Sequence, residues 1–177
     1  MITDWKNEIV NGVIIQQRIE ELDHGRLWRR HLPEVAATEQ EIMSVERRLG
    51  FALDPRYRAF LQYANGWKSF YQAVDLFGTA NLLGAPPMDS ARRQLAAIQP
   101  AHFEAAVGKS VAEFLPIAAS TVQRDIFLLG QPRSAHQGIV VWFAGDEVDR
   151  FPSFDDFYLA MLDYNREEIV DLEREAK

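Results

Sequence analysis

Residues 38–66 read TEQEIMSVERRLGFALDPRYRAFLQYANG, and this stretch governs how the rest of the chain folds. Thr38 with Glu41 three residues later forms a capping box, in which hydroxyl and carboxylate take up free N–H groups of a first helical turn. Ile42, Val45 and Leu49 then keep helical spacing, and Gly50 supplies a left-handed stop. Asp54 caps a second helix, with Pro55 at its first position, where the missing N–H costs nothing. Tyr57, Phe60, Leu61 and Ala64 fall at i, i+3, i+4 and i+7, a single buried stripe. Asn65-Gly66 ends it. Two short capped helices in tandem are the best-defined unit of the sequence.

Upstream, residues 4–22 read as an amphipathic helix whose stripe holds Trp5, Ile9, Val13 and Leu22, with Ile14 and Ile19 beside them. A basic-aromatic patch follows (Arg26, Trp28, Arg29, Arg30) and ends at Pro33. Downstream, residues 67–76 are aromatic with partial alternation and predict a short strand or strand pair. Residues 79–110 are mixed, with a turn at Gly84-Ala85-Pro86-Pro87 and short helices over 89–98 and 101–107. Strands are expected over 114–118, 125–129 and 138–143, with turns at Gly130-Gln131-Pro132 and Ala144-Gly145-Asp146. Ser153 with Asp156 caps a closing helix over 153–175, whose stripe includes Phe154, Phe157, Tyr158, Met161 and Leu162. Helices first, sequential strands next and one last helix predict an α+β fold with a largely antiparallel sheet. One domain is expected over 1–177, its core at 33–163 and the helices at 4–22 and 153–175 packed on it.

The chain has 177 residues and no cysteine, which excludes a disulfide framework, a thiolate metal site and a cysteine nucleophile. No apolar run approaches the ~18–20 residues of a membrane span, and MITDWKNEIV lacks a signal-peptide layout; a cytoplasmic protein is expected. The net charge is −7 and unevenly placed. Residues 1–88 carry 10 basic and 11 acidic side chains, whereas residues 145–177 carry 4 basic and 11 acidic. Such a balance argues against a nucleic-acid backbone as partner and for a cationic protein surface. A solvated acidic helix face that aids solubility accounts for the same fact.

Chemistry-bearing patterns are sparse. Gly108-Lys109-Ser110 looks like the end of a phosphate-binding loop, but the glycine required five residues earlier is Phe103. His24, His31, His102 and His136 show neither HExxH nor a spacing that puts two imidazoles on one helical face. Ser120, Ser134 and Ser153 lie in no nucleophile elbow. Carboxylates gather at Asp146, Glu147 and Asp149 and again at Asp155-Asp156, where acid–base work or a hard cation competes with plain turn chemistry. Trp142 alternates with Val140 and reads as core or half-core; Trp67, beside a turn, reads as either core or interface. No catalytic residue, metal ligand or cofactor site is expected.

The ordered motif Thr38-x-x-Glu41, Leu49-Gly50, Leu53-x-Pro55-x-Tyr57-x-x-Phe60-Leu61 and Asn65-Gly66 resembles the SUKH superfamily, in its Smi/Knr-type branch. GIVVWFAGDE over 138–147 and Ser153-Phe154-Asp155-Asp156-Phe157 are similar to that branch's strand, acidic turn and closing helix start. Two features depart from it: Trp67-Lys68-Ser69 stands where glycines are common, and the 84–110 segment is long. The resemblance implies a non-enzymatic domain, similar to bacterial immunity proteins that neutralise toxins, often basic nucleases. It also implies an alternative, a regulatory or scaffold module for an endogenous signalling or cell-wall synthesis protein. A hydrolase or nucleotide-binding enzyme is the third reading. Under the first, contact residues are expected at Trp67, Tyr71 and Asp75 and at Asp146, Glu147, Asp149, Asp155 and Asp156. Monomer and homodimer are both compatible with the sequence.

Overall fold

The computed structural model describes residues 2–25 and 29–175. Arg26 and Trp28 of the basic-aromatic patch lie outside the described residues. Helix α1 (Trp5–Leu22) is capped by Asp4, whose carboxylate accepts the Asn7 N–H. Helices α2 (Glu39–Leu49) and α3 (Pro55–Leu61) follow as their caps dictate. The Glu41 carboxylate accepts the Thr38 N–H at 2.7 Å while the Thr38 hydroxyl accepts that of Glu41, and Gly50 ends the helix. Asp54 accepts the N–H groups of Arg56 and Tyr57. Tyr57, Phe60, Leu61 and Ala64 are all 0% exposed, so the predicted stripe is core.

Six strands then form one sheet: β1 (Trp67–Tyr71), β2 (Val74–Leu76), β3 (Phe114–Ser120), β4 (Ile126–Gly130), β5 (Val140–Phe143) and β6 (Glu147–Phe151). Each pairs antiparallel with the next, in the order β1-β2-β3-β4-β5-β6. Helices α4 (Thr79–Leu82), α5 (Pro86–Ala96) and α6 (Pro100–Val107) lie between β2 and β3, and α7 (Phe154–Glu175) closes the chain. The fold is α+β, as the order of elements predicts.

Helices cover both faces of the sheet. Trp67, Leu76, Ala118, Phe127 and Trp142 are register partners in one row, and this row faces α1 and α7. Phe127 meets Phe157 of α7 with ring centroids 5.0 Å apart. A Cβ on Gly12 of α1 would stand 3.0 Å from the Trp67 ring, so the glycine lets the helix seat there. On the other face Phe143 meets Phe103 of α6 at 5.1 Å, and Gln94 of α5 donates to the Ser120 carbonyl. Every residue of β3 and β4 is therefore buried, which explains their continuous apolar runs in place of alternation.

Asn65-Gly66 does more than stop α3. Asn65 Oδ1 accepts the Thr79 N–H at 2.7 Å and its Nδ2 donates to the Thr79 hydroxyl at 2.9 Å. A Cβ on Gly78 would lie 1.9 Å from the Asn65 carbonyl, so only glycine permits this backbone crossing.

Several expectations need correction. Pro86 and Pro87 open α5 rather than complete a turn, because a missing N–H is harmless at those positions. Ile14 is 57% exposed and Val13 and Leu22 are half-buried; the buried side of α1 keeps Trp5, Ile9 and Ile19 and takes in Ile15 and Gln16. Glu147 and Asp149 belong to the edge strand β6, not to a turn. Gly108 ends α6 and Ser110 caps a single 3-10 turn, so the Gly108-Lys109-Ser110 segment is helix punctuation.

Candidate partner-binding surface

The expected contact residues separate on burial. Trp67 is 1% exposed, and its indole N–H donates to the His31 carbonyl at 2.7 Å. Its side chain is core and leaves the candidate surface. Asp155 leaves it as well, being 3% exposed; it accepts the Ile2 N–H at 2.8 Å and stands 3.9 Å from Arg56. Asp155 ties the start of the chain to α7 and α3. Asp156 shares the helix cap with Ser153, whose hydroxyl donates to it at 2.5 Å and accepts its N–H at 3.3 Å.

Of the other residues, Tyr71 joins an aromatic cluster. Tyr71 ends β1 half-buried, Trp142 sits in β5, and Tyr164 is carried in by α7. Their ring centroids are mutually close: 5.8 Å for Tyr71–Trp142, 5.9 Å for Tyr71–Tyr164 and 5.8 Å for Trp142–Tyr164. Phe127 stacks on Trp142 at 5.1 Å and links the cluster to the core. Carboxylates surround it. Asp125 accepts the Trp142 indole N–H at 2.8 Å, and Asp149 accepts the Tyr164 hydroxyl at 3.4 Å. Burial first, then Glu168, Asp125 and further acidic neighbours push the Tyr71 phenol up to about 12. The Tyr164 phenol is raised too, by burial and then by Asp149.

Part of the C-terminal acidity is internally neutralised. Glu168 pairs with Arg30 at 2.8 Å, Glu173 with Arg18 at 2.9 Å, and Asp171 with Arg174 at 3.2 Å. Asp163 pairs with Arg166, and Glu147 with Arg150, whose Nη2 also donates to the Val107 carbonyl. Among the described residues, Asp125, Asp146, Asp149, Asp156 and Glu167 have no ion-pair partner. Asp75 sits half-buried in the β1–β2 hairpin and accepts the Ser69 N–H at 2.8 Å; burial raises its carboxyl above the ordinary carboxylate range.

The histidines are dispersed. His102 bonds the Gly145 carbonyl at 2.8 Å, His136 stacks on Phe114, and His24 is exposed. Among the described residues no group of three or more His, Asp or Glu side chains is placed to hold a metal ion. No described helix is long and apolar enough to cross a membrane.

Residues 36–160, more than two thirds of the chain, match the SMI1 / KNR4 family (SUKH-1). The chain belongs to that family. No curated protein sequence matches it significantly. The family span holds α2, α3, the whole sheet and the first turns of α7, which are the motif-bearing elements of the sequence. Tyr71, Asp125, Trp142 and Asp149 lie inside that span, while Tyr164, Glu167 and Glu168 lie beyond it. The aromatic cluster thus joins family framework to this chain's own C-terminal helix. Sequence reasoning missed Asp125, Tyr164, Glu167 and Glu168. Tyr164 continues the α7 stripe three residues after Met161, but nothing local shows that it meets Tyr71.

Proposed function

We propose that this chain is a non-enzymatic immunity-type protein that neutralises a cognate toxin by covering a basic surface. Membership of the SMI1 / KNR4 family supports a binding role, either immunity or cell-wall regulation. The observation that carries the reading is the aromatic cluster set among Asp125, Asp149 and Glu167, carboxylates without cationic partners among the described residues. A basic nuclease holds a phosphate backbone with lysines and arginines, and an acidic inhibitor steers onto that same face. Within this reading the contact set is Tyr71, Asp75, Asp146, Glu147, Asp149 and Asp156, joined by Trp142, Tyr164, Asp125 and Glu167. The function is exerted in the cytoplasm.

The test is co-purification of the full chain with the product of each neighbouring gene, followed by a toxicity-rescue assay. Rescue of growth by stoichiometric co-expression supports immunity. Capture of an endogenous signalling or cell-wall synthesis protein, with no rescue, replaces it by the regulatory reading.

A further inference from the structure

Aromatic side chains among the described residues are sealed with few exceptions. Among the described residues only Phe51, Tyr63, Tyr71, Trp142 and Tyr164 keep appreciable solvent exposure, and three of these five touch one another. A random fringe of half-buried rings would be scattered over the surface; this one is assembled from β1, β5 and α7. Tyr71–Trp142 and Trp142–Tyr164 meet edge to face, at 81° and 82°. Asp125 holds the Trp142 indole N–H with Oδ1 and keeps Oδ2 for another donor, while Asp149 accepts the Tyr164 hydroxyl with Oδ2 and the Arg150 N–H with Oδ1. Glu168 is occupied by Arg30, whereas Asp125, Asp149 and Glu167 have no cation among the described residues. The patch therefore has aromatic surface and, among the described residues, carboxylates without an ion-pair partner in one place.

We propose that the Tyr71–Trp142–Tyr164 cluster is an arginine-recognition point, where a guanidinium from a basic protein partner stacks on the rings and donates to Asp125, Asp149 or Glu167. This inference rests on the reading of the chain as a binder of a basic protein and specifies the group it grips. A guanidinium suits the site better than an ammonium, because it is planar, weakly hydrated and offers several N–H donors in its plane. One face lies on a ring while the edge reaches carboxylates beside that ring. Lysine brings a compact, strongly hydrated charge and gains less from the ring faces. Tyrosine, tryptophan and arginine are also the side chains that dominate interface energies.

The test uses the full chain and two blocked peptides of equal charge, hexa-arginine and hexa-lysine. Binding is followed by tryptophan fluorescence and by the Trp142 indole N–H resonance at several salt concentrations. Hexa-arginine is expected to bind at least about threefold more tightly than hexa-lysine and to shift the Trp142 resonance. Tyr71→Ala and Tyr164→Ala should each abolish that preference, while Asp149→Asn weakens both peptides. Trp142→Phe, which keeps a ring at the site, should retain part of the preference with the fold intact by circular dichroism. Equal affinities for the two peptides, or a preference untouched in Tyr71→Ala and Tyr164→Ala, overturn the proposal. Toxin rescue without a ring-dependent arginine preference sinks this inference and leaves the immunity reading. An arginine preference without rescue upholds this inference and counts against immunity.

Discussion

The Tyr57 hydroxyl donates to the Phe77 carbonyl at 2.7 Å, in a place with no exposed surface. Burial raises its phenol far above the ordinary value, so it stays a neutral donor at any working pH. Tyr57→Phe keeps the ring and strands the carbonyl; a loss of about 1–3 kcal/mol is expected, measured as a lower urea midpoint with unchanged slope. Asp75 behaves differently. Its carboxyl is raised by burial against the opposing Ser69 N–H, His31 and Lys68, so the folded chain binds that proton more tightly than the unfolded chain. This contribution favours the fold below the ordinary aspartate value of about 3.9 and is lost as pH rises through the folded value. Asp75→Asn is accordingly expected to be more stable than the parent chain at pH 7, with the difference closing as pH falls. Parallel urea titrations from pH 7 downward check it, and a gap that widens on acidification would reverse the sign. Residues of this kind differ in how far the sequence announces them. Tyr57 is legible because helical spacing alone buries it. Tyr71, Trp142 and Tyr164 meet only after sheet register and the seat of α7 are set, and no local pattern encodes that meeting.

At the scale of elements, legibility follows local chemistry. Helices α2, α3 and α7 carry their own caps, so Thr38, Asp54 and Ser153 mark where each begins. Strands β3 and β4 stand out as apolar runs because both of their faces are covered. Strand β6 is silent by the same logic. It lies at the sheet edge, pairs only with β5 and reads Glu-Val-Asp-Arg-Phe, with charges where alternation would have shown a strand. Those charges protect an open edge from pairing with another chain. Replacing them removes that protection: the double substitution E147V/D149V should raise the self-associated fraction above that of the parent chain. Sedimentation velocity at matched concentrations measures it, and an unchanged distribution would show that the edge is blocked by something other than charge.

For the whole molecule, the question is whether α1 is an addition to a family core or part of that core. The family span begins at residue 36, after α1 has ended. Yet Trp5 is 5% exposed and contacts Phe60, Phe154 and Tyr158 at centroid distances of 5.5, 5.8 and 5.0 Å. Gln16 donates to the Phe70 carbonyl at 2.8 Å, and Asn165 of α7 donates to the same oxygen at 3.0 Å. Arg18 pairs with Glu173 near the end of α7. The N-terminal helix thus touches α3, β1 and α7 together, and its removal would open the row that runs from Trp67 to Phe127. Trp5→Ala is expected to cost about 3–5 kcal/mol, a large part of the ~5–15 kcal/mol that holds an ordinary domain folded. Deletion of residues 1–24 should then abolish cooperative unfolding rather than trim one helix from a stable remainder. In the intact chain, tryptophan fluorescence and far-ultraviolet circular dichroism should trace one coincident urea transition. Two separated transitions, with a folded remainder surviving the deletion, would make α1 a docked accessory. A single transition lost on deletion makes the helix a structural member of the domain, although the family motifs begin only after it.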